Sequence, residues 1–217
     1  MKLITIIGAG PGISHAVAQK FGKEGFRIAL IARTEEKLKK QVSDLNSEGI
    51  EAQYAVADVA NEDSLKSALF QIRETAGHAD MILYNAAGVS VRDILEQDWE
   101  TIKSAVDVSV GGYFNLMKTV LPFCISNNSG KLFVTGGGFA LQGDPQWTSL
   151  SVGKAALRNL VQAFQKRVEG ANIHIAHLMV CGFVNPADEK YSPNAIADQY
   201  WKLFNQKPGE FENEIIY

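Results

Sequence analysis

Short apolar runs alternate with amphipathic stretches along the whole chain. Ile4-Thr5-Ile6-Ile7 is a buried-strand pattern, and Ile13, Ala16, Val17 and Phe21 then recur at helical spacing until Gly25. Further apolar runs at Phe26–Ala32, Gln53–Ala57, Met81–Tyr84, Lys131–Thr135, Ile173–Val180 and Glu214–Ile216 read as strands. Between them the spacing predicts helices from Thr34 to Gly49, Asn61 to Gly77, Asp98 to about Phe123, Ser149 to Val168 and around Ala195–Phe204. Glu35 and Glu36 suit the positive end of the second helix, and Asn61 is a side chain able to cap the third. Most strands are apolar on both faces, so helices must cover both sides of the sheet. That requirement predicts an α/β fold with a mainly parallel, doubly wound, Rossmann-type sheet. No linker rich in Pro, Gly or Ser and no repeat divides the chain, so one domain over 1–217 is expected, with a short substrate-side segment at about 183–217.

A doubly wound sheet binds ligands at the carboxyl ends of its strands. Gly8, Asp58, Asn85, Gly137 and Gly182 all fall at such ends, so one crevice can gather them. The first of these turns, Gly8-Ala9-Gly10-Pro11-Gly12-Ile13-Ser14, leads straight into a helix. A helix N-terminus offers unpaired N–H groups and a positive dipole end, and glycine lets the backbone come close to a phosphate. A loop that merely needs positive φ would look the same, but its place after the first strand of an alternating chain favours the nucleotide.

Composition narrows the rest. With 217 residues, 46% of them hydrophobic, the chain can bury a substantial core. Its net charge of −3 is spread without a basic block, so neither nucleic acid nor a membrane surface is an expected partner. Cys124 and Cys181 lie in apolar runs and are expected as buried free thiols; no spacing suggests a metal site. His174 and His177, three apart on a strand, are expected on opposite faces. No signal-type stretch precedes the first strand, and the apolar runs look too short to span a bilayer, so a cytoplasmic location is expected.

Several motifs together resemble the short-chain dehydrogenase/reductase family. Gly8-x-x-x-Gly12-x-Ser14 is similar to its Gly-x-x-x-Gly-x-Gly, with serine at the last glycine. Asp58-Val59, Asn85-Ala86-Ala87-Gly88, Asp107-Val108-Ser109-Val110-Gly111-Gly112-Tyr113-Phe114 and Lys154-Ala155-Ala156-Leu157 resemble further family motifs in the right order, and Cys181-Gly182 stands where Pro-Gly is usual. The resemblance implies a seven-stranded sheet of order 3-2-1-4-5-6-7 and a nicotinamide dinucleotide. The cofactor-binding residues it implies are Gly8, Gly10, Gly12, Ile13, Arg33, Asp58, Val59, Asn85, Ala86, Gly88, Lys154, Gly182 and Val184. The acid that selects NAD is missing after the second strand. Arg33 stands there instead and suits a 2′-phosphate, so NADP is favoured and NAD stays possible; a solvated helix-entry charge is the plain alternative. The resemblance also implies a homodimer or homotetramer formed through the helices after strands four and five.

The same resemblance exposes what has been lost. The family's catalytic Tyr, four residues before the Lys, is here Leu150; its Ser position is Gly137; its Asn position is Ser109. Lys154 and Ser109 are the side chains left to act in catalysis. Leucine cannot donate a proton, and losing a positioned acid costs roughly 10²–10⁴-fold in rate. Tyr113 and Tyr191 are the nearest conceivable substitutes, but packing is expected for the first and a loop position for the second. Asp144 reads as a turn residue before Pro145, and Trp147 as core or as filler of the emptied pocket. The expected activity is impaired hydride transfer between the dinucleotide and a small carbonyl compound or alcohol. The alternative is a non-enzymatic dinucleotide sensor, or an inactive subunit that pairs with an active relative.

Overall fold

In the computed structural model, which describes residues 1–217, seven strands form one parallel sheet. They are β1 (Leu3–Ile7), β2 (Arg27–Ala32), β3 (Ala52–Val56), β4 (Met81–Tyr84), β5 (Gly130–Gly137), β6 (Ile173–Val180) and β7 (Glu214–Ile216). Their order is β3-β2-β1-β4-β5-β6-β7, with every neighbouring pair parallel. The helices are α1 (Ile13–Lys23), α2 (Glu35–Ser47), α3 (Glu62–Ala76), α4 (Trp99–Val106), α5 (Gly112–Asn127), α6 (Thr148–Arg167) and α7 (Pro193–Asn205).

Two cores sandwich the sheet, as strands apolar on both faces require. On one side α1, α2 and α7 cover Ile4, Ile6, Leu30, Leu83 and Leu178. On the other, α3, α5 and α6 cover Ile7, Ala29, Tyr84, Val134 and Ile175. Edge-to-face aromatic pairs lock α7 against α1 and the turn that follows it: Phe21 and Trp201 lie 5.1 Å apart, Phe26 and Phe204 likewise 5.1 Å. Each such pair adds about 0.5–1.5 kcal/mol beyond its burial. His174 faces Phe133 on one side of the sheet, while His177 faces Gly136 and Glu214 on the other, as strand alternation requires.

Two features depart from the sequence pattern. Helix α4 runs into α5 through a π-helical turn, Asp107–Gly111. There the Gly112 N–H reaches back five residues to the Asp107 carbonyl, and the Val108 carbonyl accepts the Tyr84 hydroxyl instead. The hydroxyl fits because residue 112 is glycine: a Cβ there would sit 2.3 Å from it. The combined helix Trp99–Asn127 is 29 residues long and contains an 18-residue window of mean hydropathy 1.2, so it does reach the length of a bilayer span, contrary to the expectation. It packs instead on the sheet through buried Tyr113, Leu116, Met117 and Leu121. The second departure is Cys181. Cys124 is buried, but Cys181 follows β6 and is half-exposed, because the strand has already left the core there.

Candidate active site

The site is built where the strand order reverses, between β1 and β4. Gly8 ends β1 with φ +83°, and a Cβ on it would meet the Ala86 backbone nitrogen at 2.4 Å. Both the left-handed backbone and the close approach demand glycine. Gly10 and Gly12 are different: a Cβ on either would meet nothing within 4 Å. No side chain caps α1 at Gly12, so the N–H groups that open the helix have no side-chain acceptor. A bare, positively polarised helix end with room over its glycines fits a dinucleotide pyrophosphate.

Ser14 replaces the last glycine and is fully buried. Its hydroxyl donates to the Gly8 carbonyl at 2.9 Å and accepts from the Asn85 side-chain amide at 2.8 Å. Asn85 therefore turns its side chain inward, to brace the glycine turn, and leaves the crevice wall to backbone. Ala86 and Gly88 follow it. The Gly88 N–H donates to Ser109 Oγ at 3.2 Å, and a Cβ on Gly88 would meet the Ala105 Cα at 2.3 Å. Ser109, in the π turn, is fully buried between this loop and Gly153 of α6. Its hydroxyl holds backbone and does not line the cavity described below.

Arg33 is exposed directly after β2. Asp58, also exposed, accepts the Ala60 N–H at 3.0 Å, and its own N–H donates to Ser64 Oγ at 3.1 Å. Val59 is buried against Gly112. These residues lie along the same strand-end edge as the glycine turn, on the far side of it from β5 and β6.

Beyond β5 opens a cavity of about 620 Å³ that gathers Ile13, Gly137, Leu150, Lys154, Cys181, Gly182 and Val184. Leu150 and Lys154, one turn apart on α6, share its wall. Lys154 is 7% exposed, and its Nζ donates to the Thr135 carbonyl at 2.6 Å. Burial lowers its pKa to about 8. Gly137, in extended backbone, also lines the cavity and brings no side chain to it. Tyr113 lies in the core against Tyr84 and Phe164. Tyr191 sits in the loop after β6 with its ring on Gly182, where a Cβ would be 2.3 Å away. Neither lines the cavity. Asp144 holds the turn before α6 by accepting the Gln146 and Trp147 N–H groups at 2.8 and 3.2 Å.

Trp147, read from the sequence as core or as filler of the emptied pocket, does line the cavity, together with Phe139 and Phe183, which no motif singled out. Trp147 stacks on Phe139 with ring centres 5.7 Å apart and meets Phe183 at 6.3 Å. The loop after β4 is pinned beside this wall: Ser90 and Ser149 exchange two hydrogen bonds, and the Arg92 N–H donates to the Gln146 carbonyl at 3.0 Å. No group of three His, Cys, Asp or Glu side chains converges as a metal site would.

Residues 2–194 match the short chain dehydrogenase family. An uncharacterized oxidoreductase of Listeria innocua is 30% identical over 180 residues, 81% of this chain and 71% of that protein. A short-chain dehydrogenase structure from Rhodopseudomonas palustris superposes with a TM-score of 0.86 at 25% identity, covering 99% of this chain and 96% of that one. The alcohol dehydrogenase of Thermococcus sibiricus, solved with 5-hydroxy-NADP, gives 0.88 at 23% identity over 100% and 96% of the two chains. Glycine turn, strand order and sequence likeness agree, and the chain belongs to the short-chain dehydrogenase family.

Proposed function

We propose that this NAD(P)-binding, short-chain dehydrogenase-like oxidoreductase takes NADP in preference to NAD and is catalytically impaired towards carbonyl compounds and alcohols. One observation carries the second half of that reading. On the cavity wall, the position one helical turn before Lys154 is Leu150, and Gly137, which lines the same cavity, brings no hydroxyl. A bound nicotinamide would supply the hydride. The protein would have to supply the proton and a donor for the developing alkoxide, and neither Leu150 nor Gly137 offers a neutral hydroxyl acid for the task.

The residues that remain suit binding better than chemistry. The open backbone at Gly10, Gly12 and Ile13 would hold the pyrophosphate, and Arg33 the 2′-phosphate by charge-assisted hydrogen bonds. Asp58 and Val59 would border the adenine, with Ala86 and Gly88 beneath the middle of the ligand. Lys154 would hold ribose hydroxyls, while Gly182 and Val184 would border the nicotinamide. A non-enzymatic role, as a dinucleotide sensor or as a silent subunit beside an active relative, is favoured by the same missing acid. The half-exposed Phe114, Phe123 and Ile125 on α5 suit a homodimer or homotetramer. A cytoplasmic location accords with this reading.

Calorimetric titration with NADPH and NADH tests the cofactor half. NADPH should bind more tightly, and Arg33→Ala should remove most of the difference. Equal affinities in the parent would overturn the NADP preference. Robust turnover across a panel of aldehydes and ketones would overturn the impairment.

A further inference from the structure

We propose that the cavity between β5 and α6 takes an uncharged compound with a flat aromatic or similarly apolar face, and excludes keto-acids and sugar phosphates. This rests on reading the cavity as the substrate side of the dinucleotide site, but it concerns the cavity's own walls. Phe139, Trp147 and Phe183 form a contiguous aromatic surface along it, and Leu150 continues that surface. Phe183 is 73% exposed, so its ring adds an open apolar face beside Trp147. Flat rings favour stacked or edge-to-face partners, so such a wall selects an aromatic face over a branched or polar one.

Charge points the same way. Only two ionisable carboxylate or amine groups reach the cavity, Asp144 and Lys154. Asp144 is anchored in the turn that borders it, where its negative charge repels an incoming anion. Lys154 is almost fully buried and already holds the Thr135 carbonyl. No arginine lines the cavity to clamp a carboxylate or phosphate in bidentate fashion. An anion placed against the Trp147 and Phe183 rings would lose its water and meet no arginine to replace it.

The test uses the full-length protein, with and without saturating NADPH, and calorimetric titration with two probes. One is 2-acetonaphthone; the other, 2-naphthylglyoxylate, keeps the ring and carbonyl but adds a carboxylate. The ketone should bind at least about tenfold more tightly than the keto-acid. Trp147→Ala should weaken the ketone about tenfold, and Phe183→Ser, an exposed change with little risk to folding, about threefold. Equal or tighter binding of the keto-acid, no ketone binding up to its solubility limit, or unchanged ketone affinity in both variants would each overturn the proposal. If the ketone is selected while NADPH fails to bind, the dinucleotide reading falls and this assignment stands.

Discussion

The side-chain amide of Asn85 donates to the hydroxyl of Ser14 at 2.8 Å, joining the end of β4 to the first turn of α1 across 71 residues of sequence. Ser14 passes the bond on to the Gly8 carbonyl. Ser14→Ala would leave a buried amide and a carbonyl without their shared partner, at a cost of about 1–3 kcal/mol. Urea unfolding measures this directly. A loss below about 0.5 kcal/mol would mean that neither group depends on the hydroxyl.

The glycines of that turn should separate into two kinds. Gly8→Ala combines a positive φ with a 2.4 Å approach to Ala86, and should cost about 3 kcal/mol or more in stability. Gly10→Ala meets nothing within 4 Å, so folding should stay within about 0.5 kcal/mol of the parent. Its dinucleotide affinity should nevertheless drop about tenfold, because the added methyl occupies the space left for the pyrophosphate. Unchanged NADPH affinity in Gly10→Ala would show that the ligand lies elsewhere.

Restoring the missing chemistry is sterically permitted. Gly137 has φ −175° and ψ 160°, and a Cβ there would touch only the Val180 carbonyl at 3.5 Å. Leu150 already faces the cavity beside Lys154. The double variant Leu150→Tyr, Gly137→Ser should therefore gain carbonyl reduction by about 10²-fold or more over the parent. NADPH consumption with an aromatic ketone is the assay. Intact NADPH binding with no gain in rate would count against proton supply as the missing element.

Acid should weaken the fold through His177. The ring is 1% exposed, and burial, then the Lys154 ammonium, push its pKa down to about 4. Glu214, 3.6 Å from Nδ1, pulls the other way, while Arg158, bound to Glu214 at 2.6 Å, adds to the depression. The unfolded chain takes up this proton near pH 6.5, the folded one only near 4, so stability is complete above about 6.5 and falls as pH drops through that window. Between pH 7 and 5 the loss attributable to this ring is about 2 kcal/mol. Glu214, held below its ordinary pKa chiefly by Arg158, extends the loss into and below the usual carboxylate range. Denaturant midpoints at pH 7 and 5 should therefore differ less in His177→Leu than in the parent. Identical shifts in both proteins would remove His177 as the cause.

What could be read along the chain was what is written locally. Apolar runs, glycine turns and helical spacing dictate the seven strands and their helices, because each depends on residues within a few turns of one another. The parallel sheet followed from strands apolar on both faces, and the absence of a hydroxyl acid from the residue four positions before Lys154. Contacts between distant segments were decided only when the strands were laid side by side. Packing brought Ser14 under Asn85, aimed Tyr84 at the carbonyl freed by a π turn, and tied Lys154 to Thr135. It also moved Cys181 to a cavity wall and assembled Phe139, Trp147 and Phe183 into one surface. None of these has a sequence period, since each is set by which strand ends become neighbours and by how closely glycine lets them approach.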